Sequence, residues 1–212
     1  MRILAVADEI DEYLFGDKLQ TLRPDFIVSC GDLPFDYLEY LLSSLNVPLL
    51  YVPGNHDPNV RPIDTTFVAL DHRVQIPGPE GCDNVDGRIL QVQGLRVAGL
   101  GGSLRYKEGP NQYTQAQMRW RAINLEFRAR LKRVPSGRRR VDVLITHAPP
   151  FGAGPAEDAA HVGFVAFHRI IQRLRPTLLV HGHVHPYGKT QPERRVDGTR
   201  IINAIPSRVI EI

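Results

Sequence analysis

The sequence predicts an α/β fold, and three observations carry that expectation. Residues 3–7, 26–28 and 47–52 are uniformly apolar rather than alternating, as strands covered on both faces are. Segments with helical spacing separate them, and the order βαβαβ argues for a mostly parallel sheet with helices on its faces. Strand and helix signals then return after residue 141. With 212 residues and no repeat, low-complexity tract or linker, one domain over 1–212 is expected.

The elements follow in order. After the first strand, Leu14, Phe15, Leu19 and Leu22 recur at roughly helical spacing until Pro24 closes the segment. The second strand leads to Tyr37, Leu38, Leu41, Leu42 and Leu45, which mark a second helix before the third strand. From about 58 to 87 the chain is rich in Pro, Gly and Asp, which suits a long surface loop. Residues 88–92 and 95–100 read as a hairpin joined at Gln93-Gly94. A long helix starts near Thr114, with Gln117 completing a capping box. On it Trp120, Ile123, Phe127 and Leu131 lie three, four and four apart and share one face. Residues 141–146 give a strand. Phe164, Phe167, His168, Ile171 and Leu174 give a helix ending before Pro176, and strands are expected at 177–180, 200–205 and 209–212.

Composition narrows the function classes. The chain is 42% hydrophobic and 23% charged, which excludes a disordered protein. A net charge of +3 suits an anionic substrate without demanding nucleic acid. Nine Lys or Arg lie between Arg119 and Arg140. They read as a solvated helix face and charged loop rather than a nucleic-acid surface, because the overall charge is low. Cys30 and Cys82 lack metal-site spacing, and Cys30 ends an apolar run as a small buried hydrophobe would. The apolar stretch after Met1-Arg2 meets Asp8 too soon for a signal peptide, and no stretch could span a bilayer, so a cytoplasmic protein without membrane contact is expected.

The chemistry lies at strand ends. Asp8 follows the first apolar run, Gly31-Asp32 the second and Gly54-Asn55-His56-Asp57 the third. His147 follows the strand at 141–146, and Gly182-His183-Val184-His185 the one after Thr177. Carboxyl ends of parallel strands share an edge, so these scattered side chains should converge. Each block has a plainer reading alone: Asp8 as a helix N-cap, Gly31-Asp32 as a turn, and 54–57 as turn chemistry between prolines. His183 and His185 resist dismissal, since alternate residues of an extended segment share a face. His72, His161, His168 and His181 read as ordinary structural or surface histidines. Carboxylates, an amide and imidazoles make a mixed oxygen and nitrogen shell that suits Mn²⁺, Fe or Zn²⁺. The ligands are too many for one ion and about enough for two. Two ions about 3.5–4 Å apart can activate a hydroxide and clamp both oxygens of an in-line phosphoryl displacement. Glycines 31, 54 and 182 are expected to let the backbone turn sharply there. Residues 99–105 form either a substrate-phosphate loop or a tight turn, with Arg105 and Tyr106 as substrate-contact candidates.

Together these blocks resemble the calcineurin-like metallophosphoesterases, whose pattern runs Asp-x-His, Gly-Asp, Gly-Asn-His-Asp/Glu, His, Gly-His-x-His. The resemblance implies a four-layer α/β/β/α sandwich. It implies a first divalent ion on Asp8, Asp32 and His185, and a second on Asp32, Asn55, His147 and His183, with Asp32 bridging. It gives His56 a phosphate contact and the role of general acid, with Asp57 beside it to orient it, and puts Asn55 and His56 against the substrate. One position departs: the family's first block needs a histidine where this chain has Ile10. The first site loses an imidazole, and Glu9 and Asp11 are the nearby carboxylates. One or two ions per chain, manganese foremost, are therefore expected.

Residues 31–36 and Asp57 differ from the protein-phosphatase version of the pattern. A small phosphodiester or phosphomonoester, such as a cyclic nucleotide or nucleotide, is the expected substrate. The competing reading is a catalytically degenerate scaffold, which Ile10 favours and the retained His56 opposes.

Overall fold

The three uniformly apolar runs become three adjacent parallel strands: β1 (Arg2–Val6), β2 (Phe26–Ser29) and β3 (Leu49–Tyr51). The computed structural model describes residues 1–58, 78–131, 140–152, 161–186 and 192–212. Between these strands run α1 (Asp17–Leu22) and α2 (Phe35–Leu45). The segment before α1 is not one helix. A 3-10 turn at Glu12–Leu14, capped by the Asp11 side chain, is separated from α1 by Gly16 at φ 83°. Phe15 is left half-exposed, resting on Tyr37 and Tyr40.

The expectation of a single mostly parallel sheet from the strand order is corrected, in favour of the sandwich that the resemblance implied. β4 (Asp83–Asn84) extends the first sheet beside β3, and the last strand, β13 (Ser207–Glu211), closes it antiparallel to β1. A second sheet holds β5 (Ile89–Val92), β6 (Leu95–Leu100), β9 (Val143–Thr146), β10 (Leu178–His181), β11 (Arg194–Val196) and β12 (Thr199–Asn203), in the order β11-β12-β10-β9-β6-β5. The hairpin β5–β6 turns at Gln93-Gly94, both at positive φ. β7 (Ser103–Leu104) and β8 (Gln112–Tyr113) form a small parallel pair. The surface loop read at 58–87 is interrupted by β4; its residues 59–77, His72 included, lie outside the described residues.

The two sheets face each other. Ile3, Ala5, Phe26 and Val28 from the first meet Val97, Val143, Ile145 and Val180 from the second. The intervening residues Leu4, Val6, Ile27 and Leu49 point outward onto Leu19, Leu38 and Leu41 of α1 and α2. On the other side Ala98, Leu144 and Leu179 pack against Met118 and Leu125 of α3 (Gln115–Leu131) and Phe167 and Ile170 of α4 (Val165–Leu174). Successive strand residues alternate faces, so burying both faces demands uniformly apolar strands. The result is four layers, α/β/β/α.

The N-terminus of α3 carries the expected capping box: the Thr114 N–H donates to Gln117 Oε1 at 2.8 Å, and the Gln117 N–H to Thr114 Oγ1 at 3.2 Å. Three of the four residues of its apolar stripe, however, face solvent, while Ile123 is partly buried. Trp120, Phe127 and Leu131 are 68%, 62% and 66% exposed, while Met118, Ala122, Leu125 and Ala129 form the buried face.

Candidate metal centre

The ligand-type residues stand at strand ends of both sheets, on one side of the sandwich. Asp8, Asp32 and Asn55 follow β1, β2 and β3; His147, His183 and His185 follow β9 and β10. Neighbouring strand ends are tied there by backbone bonds: the Asp8 N–H to Gly31 O at 3.1 Å within the first sheet, and the Gly182 N–H to His147 O at 2.9 Å within the second. Across the two sheets the His183 N–H donates to Asp8 Oδ2 at 2.9 Å.

Two matching tight turns aim the side chains. The Glu9 N–H returns to Ala7 O at 2.6 Å around Asp8, and the Val184 N–H to Gly182 O at 2.8 Å around His183. Asp8, Asp32 and His183 have φ of 61°, 57° and 66°, a region that non-glycine residues seldom occupy. The turns thus fall on the functional residues themselves, which corrects the role expected of two glycines. Gly31 has φ 94°, but Gly54 and Gly182 are absent from the positive-φ residues. What those two need is the lack of a side chain. A Cβ on Gly54 would strike the Asp32 carboxylate, and one on Gly182 the Asp8 carboxylate.

One ligand atom from each of Asp8, Asp32, His147 and His183 lies within 4.8 Å of all the others. His147 is fully buried. Its Nδ1 lies 2.7 Å from Cys30 O, which fixes the ring and aims Nε2 at Asp32 Oδ2 (3.3 Å) and Asn55 Oδ1 (3.0 Å). The rings of His147 and His183 lie 4.8 Å apart.

The charges explain one another. Burial works against a charged His147, but the charge and hydrogen bond of Asp32, together with the Asp8 carboxylate and Cys30 O, outweigh it and lift the pKa to about 9. Burial pushes Asp8 up to about 6, opposed by His147. Burial also tends to raise Asp32, but the charge and hydrogen bond of His147, with the His56 N–H, hold it below its usual value. Carboxylate, amide and imidazole donors converge at His147 Nε2. Such a buried mixed donor set fits a divalent cation.

The remaining expected residues line or brace this cluster. A cavity of about 430 Å³ is bounded by Asp8, Asp32, Asn55, His56, Tyr106, His161, His183 and His185. His56 is exposed, its backbone N–H on Asp32 Oδ1 at 2.8 Å. Asp57 Oδ2 accepts from the N–H groups of Asp32 (2.9 Å) and Gly54 (2.8 Å), so it ties two loops together, and burial raises its pKa against those bonds. Arg105 is not among the residues bounding the cavity, and its guanidinium donates to Gln112 O and Gln117 Oε1, while Tyr106 lines it. Two residues were not singled out from the sequence. His161, read there as ordinary, lies in the cavity wall with its ring 4.9 Å from that of His183. Asn111 Nδ2 donates to Gly54 O and Asp57 O and holds the 54–57 loop from behind. No local pattern marks either. A larger groove of about 800 Å³ between α3 and α4 is bordered by Arg119, Trp120, Ile123 and Arg169 and holds none of these ligands.

The sequence model of calcineurin-like phosphoesterases matches residues 1–187. The chain belongs to the calcineurin-like phosphoesterase family. It is a metallophosphoesterase by family, a class of hydrolases acting on phosphoester bonds, and carries a candidate cluster for the divalent metal such enzymes use. An uncharacterized protein of Haemophilus influenzae is 28% identical over 181 residues, covering 75% of this chain and 72% of that protein. The crystal structure of TT1561 of Thermus thermophilus superposes with a TM-score of 0.59 at 18% identity, over 96% of this chain and 88% of the other. Another crystal structure gives 0.62 at 20% identity, over 96% and 90%. These likenesses to solved structures place the metallophosphoesterase fold. Among the described residues no helix is long and apolar enough to cross a membrane.

Proposed function

We propose that this chain is a metal-dependent phosphoesterase, acting on a phosphodiester such as a cyclic nucleotide or on a small phosphomonoester such as a nucleotide. The observation that carries this is the convergence of Asp8, Asp32, His147 and His183 within 4.8 Å beneath an exposed His56. Asp32, Asn55, His147 and His183 would hold one divalent ion, and Asp8, Asp32 and His185 a second. Manganese suits this mixed shell, with iron or zinc as alternatives. The ions supply Lewis-acid charge and an activated water for in-line attack. The protein does the rest. Cys30 O and Asp32 hold His147 in one orientation, Asn111 and Asp57 fix the 54–57 loop, and Asn55 and His56 meet the phosphoryl oxygens. His56 protonates the leaving oxygen from the cavity rim. The low net charge of +3 suits a small anionic substrate and does not demand nucleic acid. The free thiols of Cys30 and Cys82 accord with a cytoplasmic setting.

The test is turnover of a chromogenic phosphodiester with Mn²⁺, beside a His56→Ala variant. Metal-stimulated turnover should fall by about 10²–10⁴ in the variant. No metal-stimulated turnover, or turnover untouched by the variant, contradicts the proposal. The first of these outcomes would favour a binding protein on the same fold. The one feature for it is Ile10, 44% exposed and unable to ligate.

A further inference from the structure

Ile10 leaves the first ion position with Asp8, Asp32 and His185, and the structure separates the two carboxylates that flank it. Asp11 is committed elsewhere. Its Oδ1 accepts from the Tyr13 N–H at 3.0 Å, capping the 3-10 turn, and its Oδ2 accepts from Ser207 Oγ at 2.5 Å. One oxygen caps the turn and the other joins the chain after β1 to the start of β13. Glu9 is placed differently. The tight turn around Asp8 folds the chain back, and Glu9 Oε1 comes to 2.7 Å from His185 Nδ1. His185 lines the cavity outside the four-residue cluster, and with Nδ1 on Glu9 it would meet a cation there through Nε2.

We infer that Glu9 is the positioning residue that offsets the missing imidazole, by holding His185 through Nδ1 so that Nε2 ligates the first ion. A carboxylate on the far nitrogen of a ligating histidine fixes its tautomer, locks the ring and raises its basicity. The first position thus has three protein ligands, one of them strengthened, rather than the four of the family pattern. Glu9 and His185 are both partly exposed, so the effect is one of orientation and affinity, not of fold stability. The inference rests on the metal-centre reading of the cluster and not on catalysis.

The experiment is calorimetric titration of the chelator-treated chain with Mn²⁺, without substrate. Wild type should show two binding events, and Asp8→Asn identifies the one at the first position by removing it. Glu9→Ala should weaken that event by about 10–100-fold and leave the other unchanged. Glu9→Gln, which still offers an oxygen to Nδ1–H, should fall between. Asp11→Asn should leave both events as in wild type, and Ile10→His placed on Glu9→Ala should restore the lost affinity. Melting temperatures of the metal-free Glu9 variants should match wild type. The inference is overturned if Glu9→Ala leaves the Asp8-dependent event unchanged, if no such event exists, or if Asp11→Asn is equally damaging. It is also overturned if Glu9→Gln is as damaging as Glu9→Ala, since Glu9 would then ligate directly. Binding without hydrolysis would sink the phosphoesterase proposal and leave this one standing; hydrolysis with a Glu9-insensitive isotherm would do the reverse.

Discussion

Gly54 and Gly182 show how a motif residue serves without touching a ligand. Each stands where a side chain would displace a carboxylate of the cluster, Asp32 for Gly54 and Asp8 for Gly182. Gly182→Ala should therefore lower Mn²⁺ affinity by roughly tenfold or more, read by titration, since the carboxylate must move to admit the methyl. Their positions were plain in the sequence, but their reason was not. A turn requirement is local, whereas close approach between strands far apart in the chain is set by the fold. The same holds for His161 and Asn111. The Gly-His-x-His spacing announces His183 and His185, but nothing beside His161 or Asn111 does. Arg105 shows the converse, a cation in a suggestive loop whose guanidinium is held by Gln112 and Gln117.

At the scale of elements, α3 has its periodicity and its burial on different sides. The large residues Trp120, Phe127 and Leu131 look outward, while smaller or slimmer ones, Met118, Ala122, Leu125 and Ala129, face the second sheet and α4. Small residues let the helix approach closely, and a hydrophobicity pattern weights them least. Buried Glu126 on the same helix is held by Arg130 and Arg169. Leu125→Ala should thus cost about 2–5 kcal/mol in denaturant unfolding, as buried leucines do, whereas Phe127→Ala should cost less than about 1 kcal/mol. Equal losses would contradict the orientation of α3. Its start was legible because the Thr114–Gln117 box is a local device.

For the whole molecule, the alternation of strands and helices was readable, but the division into two sheets was not readable from it. Uniformly apolar strands report that both faces are covered, and not whether by helix or by another sheet. The sandwich came only through the resemblance. Burial also couples global stability to pH through His181. Desolvation lowers its pKa from 6.5 to about 4. Between those values the unfolded chain binds a proton that the folded chain refuses. Stability is complete above about 6.5 and is lost as pH falls toward 4, by about 3 kcal/mol at the end of the window. Unfolding midpoints of the chelated protein at pH 7.5 and 5 should drop less in His181→Gln than in wild type. An equal drop would remove His181 as the cause.

The central claim is that strand ends from two facing sheets build one centre for two divalent ions, full on Asn55, His147 and His183 and thinner on Asp8 and His185. Anomalous scattering at the manganese edge, from crystals grown with Mn²⁺, tests it most directly. Two peaks about 3.5–4 Å apart on either side of the Asp32 carboxylate are expected, the weaker between Asp8 and His185. No peak among Asp8, Asp32, His147 and His183, with manganese bound elsewhere or not at all, would contradict it.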